Sequence, residues 1–250
     1  MKKYFLTFHT IFIMDENVEW IEEFLIYYLN LGFEHFYLYD NTGSIGFRSN
    51  RHTTRYGFPI VKQDPKIWRD IYSKYKQYIT YIKYNPKNEQ GDIIYNQVQG
   101  ITDFINEYKH EADWCFVGDF DEFIFSPKNN NLLDLIKSVI KPVITFHQKM
   151  FLHRDRTTKR FITQEYQCIN NLSSKLYGGQ KSIINLESFK GLTSCHNFKG
   201  KKQVLSLDEW RFNHYIFCEH GKRSINKQKW KYELTVDDSM KKYKNLFNET

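Results

Sequence analysis

The stretch DWCFVGDFDEFIF, Asp113 to Phe125, decides how this chain is read. Trp114 to Val117 and Phe123 to Phe125 have the composition of buried strand, yet Asp119, Asp121 and Glu122 stand between them. Carboxylates buried without a partner cost several kcal/mol each, so something positive is expected to meet them. Residues two apart on a strand point to the same side. If the chain turns after Val117, Asp119 and Asp121 reach one point at the strand's carboxyl end. Two oxygen donors at that spacing suit Mg²⁺ or Mn²⁺ and leave coordination positions for a diphosphate. A D-x-D alone is most often a solvated turn. The apolar runs on either side fix this one at a sheet edge.

The preceding chain supplies the rest of that sheet. Tyr4 to Ile13 reads as a strand, and DENVEWIEEFLIYYLNLGF reads as a helix, with Val18, Ile21, Phe24 or Leu25, and Tyr28 at helical spacing and Gly32 as its stop. HFYLYDN then reads as a short strand ending in Asp40 and Asn41, completing a β-α-β unit. In open α/β sheets ligands bind at the carboxyl ends of the strands. A loop is expected over Arg48 to Pro59 and a short strand at Ile60 to Val61, while the Tyr- and Lys-rich segment up to Pro86 has no clear assignment. Helices are expected from Asp92 to Tyr108, with Ile93, Val98, Ile101 and Ile105 as its apolar face, and from Leu132 to Ile140. A strand is expected over Val143 to Gln148 and irregular chain from there to Cys195. The last thirty residues are polar and basic and read as a peripheral helical tail.

Length and composition narrow the classes. The 250 residues fit one large α/β domain, and 41% hydrophobic with 18% aromatic content excludes a disordered chain. Cys115, Cys168, Cys195 and Cys218 lack metal-ribbon spacing and read as free thiols of a reducing compartment. His9 interrupts the short apolar run near the N-terminus, which reads as a strand and not a signal peptide. No segment approaches the ~20 apolar residues of a membrane span. These features lead to the expectation of a soluble, cytoplasmic protein. The net charge of +7 is spread along the chain without a concentrated basic stripe, which argues against nucleic acid as the partner.

ADWCFVGDFDEFIF resembles the W-x-x-x-x-D-x-D-E-F signature of GT-A fold glycosyltransferases, including glycosyltransferase family 92 and related family-2-like proteins. ENVEWIEEFLIYYLNLGFEHFYLYDNTGS resembles that family's opening blocks, and Gln97 falls where it carries a glutamine. KSIINLESFKGLTSCH resembles its lysine block followed by a histidine, and Asn213 to Tyr215 resembles its H-Y element. Five blocks agree in order and rough spacing. The N-E of the family becomes Glu16-Asn17 here, its tryptophan Phe24, its histidine Tyr28 and its proline Leu186.

The resemblance implies a GT-A, Rossmann-like α/β fold of the nucleotide-diphospho-sugar transferase type, with a mixed central sheet flanked by helices. This domain is expected over residues 1–217, with a basic, helical extension over 218–250. The implied activity is metal-dependent, inverting transfer of a sugar from a nucleotide-sugar donor, of UDP type, to a hydroxyl of a glycan or glycoconjugate acceptor; with no membrane-spanning run in the sequence, the expectation is action in the cytosol or in a viral or bacterial glycan pathway. Asp119, Asp121 and His196 are the implied ligands of Mn²⁺ or Mg²⁺. His9, Thr10, Asp40, Gln97, Asp119, Lys181 and His214 are the implied donor contacts, Lys181 neutralising phosphate. Glu122 and Asp121 are the catalytic candidates, Glu122 as general base, with Asp155, Glu165, Asp208 and Glu209 as other options.

Blander roles exist for several of these residues. His196 could be a surface histidine, His214 a hydrogen-bonded core residue, Lys181 a solvated turn lysine, and Asp40 turn chemistry. Two other functions compete: a two-metal nuclease using Asp119, Asp121 and Glu122, and a non-catalytic nucleotide- or carbohydrate-binding protein of the same fold.

Overall fold

A computed structural model of the protein describes residues 2–44, 63–152, 161–165, 168–170, 179–215 and 234–247. The loop expected at Arg48 to Pro59 and the strand at Ile60 to Val61 lie outside them, as does Cys218. Strand β1 (Tyr4–Phe12) leads into helix α1 (Met14–Asn30) and strand β2 (His35–Asp40). Every residue of β2 is buried, as expected of a parallel strand covered on both faces. Helix α1 starts without a side-chain cap from Ile13, but Thr42 Oγ1 accepts the Met14 N–H at 2.8 Å, and Asp15 and Glu16 occupy the first turn. It stops at Gly32, whose φ of +92° favours glycine.

Helix α2 (Pro65–Tyr75), a 3₁₀ turn and strand β3 (Ile79–Lys83) fill the segment that resisted assignment. Helix α3 (Gln97–Tyr108) begins five residues later than its periodicity suggests. Ile93 bridges Lys87 in extended chain, and Asn96 caps the helix by accepting the Gln99 N–H. Val98 is 43% exposed, so the buried face is Gly100, Ile101, Phe104 and Ile105. Strand β4 (Ala112–Val117) and strand β5 (Glu122–Phe125) flank the acidic turn. Helix α4 (Leu132–Ser138) and strand β6 (Val143–Leu152) follow, then helix α5 (Ile162–Glu165) and strand β7 (Cys168–Asn170).

The irregular chain expected after Gln148 is corrected by strand β8 (Gln180–Asn185), which lies between β4 and β6 in the sheet. Strands β9 (Leu192–Ser194) and β10 (Asn197–Phe198) form a small hairpin, and β11 (Lys202–Val204) and β12 (Arg211–Tyr215) return to the main sheet. Within the 218–250 segment, expected to be helical, the described residues instead form strand β13 (Leu234–Val236) and a 3₁₀ helix over Ser239–Phe247. Both join the main body. β13 pairs with β7, Tyr243 meets Tyr27 of α1 at 5.0 Å, and Phe247 stacks on Phe161 at 4.8 Å. Arg211 also ties this segment to β12 through Asp237, at 2.6 Å.

The main sheet runs β13-β7-β6-β8-β4-β1-β2-β3, with β11 and β12 alongside β6, and β5 on β12. It is the mixed central sheet flanked by helices that the resemblance implies. On the α1 side, Phe8, Phe24, Tyr28, Phe36, Phe116, Phe120 and Phe123 form one aromatic cluster. On the α3 side, Ile11, Tyr37, Tyr39, Phe104 and Ile105 form another. Strands β1, β2, β3 and β4 are mutually parallel, so Phe12, Asp40, Lys83 and Val117 end at one edge. No helix among the described residues is long and apolar enough to cross a membrane.

Candidate active site

The acidic turn forms because β4 ends at Val117 and the chain must double back into β5. A side chain at Gly118 would bring its Cβ 2.6 Å from the Phe116 ring and 3.0 Å from the Phe8 ring, so only glycine fits between these aromatics. Gly118 N–H donates to the His9 carbonyl, and Glu122 N–H closes the turn on the Asp119 carbonyl. The Asp119 N–H in turn donates to Glu122 Oε2 at 3.0 Å. β12 then pairs antiparallel with β5, which sets His214 opposite Glu122.

The positive partner of the carboxylates is Lys181, on β8. Its Nζ lies 2.8 Å from Asp119 Oδ2 and 2.9 Å from Glu122 Oε2, and its side chain is 3% exposed. Burial opposes the lysine's charge, but the two carboxylates outweigh it and hold Lys181 protonated. Burial pushes the Glu122 carboxyl up against the pull of Lys181. Asp121 has a different partner, His214 Nε2, at 3.2 Å. Burial would lower the His214 imidazole, but the Asp121 charge and hydrogen bond raise it.

A cleft beside the turn is lined by His9, Thr10, Gln97, Asp119, Lys181 and Cys195, among others. His9 is fully buried, against Phe104 at 4.4 Å and Tyr39 at 4.8 Å, and neither of its ring nitrogens has a hydrogen-bond partner among the described residues. Thr10 Oγ1 is likewise buried without one. Because side chains alternate along a strand, His9 and Thr10 project to opposite faces of β1. Gln97, at the first turn of α3, donates from Nε2 to the Tyr95 hydroxyl at 3.1 Å.

Other expected residues are engaged elsewhere. Asp40 is fully buried and accepts from Thr42 N–H, the Thr42 and Tyr81 hydroxyls and Lys83. Burial would raise its carboxyl, but these bonds hold it below its ordinary range. The exposed His196 has Nδ1 3.2 Å from the Gln180 carbonyl. Asp208 and Glu209 precede β12 at the end opposite His214, where Ser126 donates to the Glu209 carbonyl. Asp155 and the Glu165 side chain lie outside the described residues.

A divalent cation would find a fitting donor set here. One ligand atom each from Asp121, Glu122 and His214 lie within 4.8 Å of one another. Carboxylate oxygen with imidazole nitrogen suits Mn²⁺ better than Mg²⁺. The structure thus groups Asp121 with His214 and assigns Asp119 to Lys181. Nothing local in the sequence links Asp121 to His214, because their meeting depends on β12 pairing with β5.

The buried neutral histidines set a pH dependence. Burial lowers His9 to about 3 and, helped by the Lys3 charge, His35 to about 4, from 6.5. Between those values the unfolded chain binds protons that the folded chain refuses. This stability is therefore fully present above pH 6.5 and is lost as pH falls toward 3. Each histidine should steepen the fall by up to about 1.4 kcal/mol per pH unit. Urea midpoints at pH 7.5, 6 and 5 check this: His9→Asn should flatten the slope, and a slope parallel to that of the wild type would refute the assignment.

The sequence profile of Glycosyltransferase family 92 matches residues 60–250. No curated protein matches the chain. Among solved structures, the crystal structure of S. aureus TarS 1-349 is similar, with 13% sequence identity and a TM-score of 0.43. The match covers 86% of this chain and 60% of the TarS chain.

Proposed function

The chain belongs to glycosyltransferase family 92, and on that premise we propose that it moves a sugar from a nucleotide-sugar donor, of UDP type, to an acceptor hydroxyl of a glycan, with inversion and with Mn²⁺ as cofactor. One observation carries the reading: the three carboxylates of the turn at the parallel strands' carboxyl edge meet a buried lysine and a histidine, beside a cleft that holds unpartnered polar atoms. Asp121, Glu122 and His214 would hold the cation, which when bound supplies a charge to stabilise the departing nucleotide diphosphate. Lys181 bridges Asp119 and Glu122, holds the two carboxyl groups in register and offsets their negative charge at the cleft wall. His9, Thr10 and Gln97 line the narrow cleft beside the turn, against which the donor would lie. Glu122, buried and bridged to Lys181, also holds the geometry of the turn.

The test is UDP release from a panel of UDP-sugars, with Mn²⁺ and then with EDTA. The expected result is release from one donor that EDTA abolishes and added Mn²⁺ restores. If no donor turns over and UDP with Mn²⁺ leaves the melting temperature unchanged, the proposal fails.

A further inference from the structure

We propose that Tyr28 is a positioning residue for the acidic turn, acting through the backbone of β5. β5 is a four-residue strand with β12 on one side. On its other side stands α1. The Tyr28 hydroxyl donates to the Glu122 carbonyl at 2.7 Å and accepts the Ile124 N–H at 3.1 Å. In a parallel ladder, one residue engages the C=O of residue i and the N–H of residue i+2 on its neighbour. A single phenol oxygen does both here, standing in for a missing strand. The neighbouring Tyr27 hydroxyl donates to the Ile124 carbonyl at 2.6 Å, farther along β5 from the carboxylates.

Both hydroxyls are buried, but only Tyr28 grips Glu122, whose side chain receives Lys181 and the Asp119 N–H. Loss of the Tyr28 oxygen frees the Glu122 peptide and lets Asp119 and Asp121 move relative to His214. Tyr27 has no such reach. The link to cation binding rests on the glycosyltransferase reading, whereas the link to the turn does not.

The experiment compares Tyr28→Phe with Tyr27→Phe in the full chain by two readouts, Mn²⁺ affinity from calorimetry and amide hydrogen exchange over residues 118–123. Tyr28→Phe is expected to weaken Mn²⁺ about tenfold, as removal of an outer-shell partner does, and to speed exchange in that peptide. Tyr27→Phe is expected to lower the melting temperature while changing neither readout. Equal effects of the two variants on both readouts, or no effect of Tyr28→Phe, would overturn the proposal. If wild-type protein binds no Mn²⁺, the functional reading fails, and the exchange comparison still decides whether Tyr28 holds the turn. Should Tyr28→Phe not fold, p-aminophenylalanine at position 28 keeps the ring and a donor. Slow exchange in that protein is expected, and exchange as fast as in the unfolded chain would refute the role.

Discussion

Lys181→Met should lower the free energy of unfolding by about 3–5 kcal/mol, the usual cost of breaking a buried ion pair by removing one partner. The ammonium lies within 2.9 Å of both Asp119 and Glu122, and the Lys181 and Glu122 side chains are each 3% exposed. Methionine fills similar volume, so the loss reports charge and not a cavity. Burial already raises the Glu122 carboxyl, and without the lysine it rises further. A folded-state pKa above the unfolded one means that the folded variant binds the extra proton. The variant should therefore recover stability as pH falls from neutral toward the ordinary range of glutamate. Adding Glu122→Gln to Lys181→Met should restore about 1 kcal/mol or more, because one orphaned charge disappears. Urea unfolding of the two single variants and the double variant measures all three effects. A loss below about 1 kcal/mol for Lys181→Met would show that the triad does not hold the fold.

Asp121→Asn separates function from stability in the opposite sense. The Asp121 and His214 side chains are 16% and 24% exposed, against 3% each for Lys181 and Glu122, so loss of their pair should cost less stability than loss of the lysine. Sugar transfer should fall by about 10²–10³, the range seen when a group stabilising developing charge is removed. Mn²⁺ affinity should fall with it, since asparagine brings no charge to the donor set. The kinetics are read as kcat/KM with the donor identified by the UDP-release assay. Activity within threefold of wild type would place the cation, and the departing diphosphate, elsewhere.

The parts of the fold that the sequence makes legible are those with unmixed patterns. α1 shows helical spacing over seventeen residues, and β1, β2 and β4 are apolar runs buried on both faces. α2 buries only Ile71 and Tyr75, so its helical stripe is too thin to read, and β3 is an edge strand with Ile79 buried, Lys83 exposed and the three residues between them half-buried, so it shows no alternation. β8 hides for another reason. Lys181 and Ser182 are polar residues buried in a central strand, and they look like loop until the carboxylates opposite Lys181 are known. In the site, the acidic turn is legible from its apolar flanks. The partnership of Asp121 with His214 is not, because 93 residues separate them and only strand pairing brings them together.

The docking of the 234–247 segment onto α1 has a consequence for how the chain acquires its structure. Tyr27 and Tyr243 touch although nearly the whole chain lies between them, and β13 closes on β7 from the same distant segment. Contacts of such long range slow the search for the native state, because loop-closure entropy is paid before they reward it. While the polypeptide emerges from the ribosome, the Tyr27 ring lacks its Tyr243 partner and the Phe125 ring lacks Lys242 until that segment arrives. Truncation before residue 234 should accordingly yield a chain that collapses around the β1-α1-β2 unit but remains prone to aggregate.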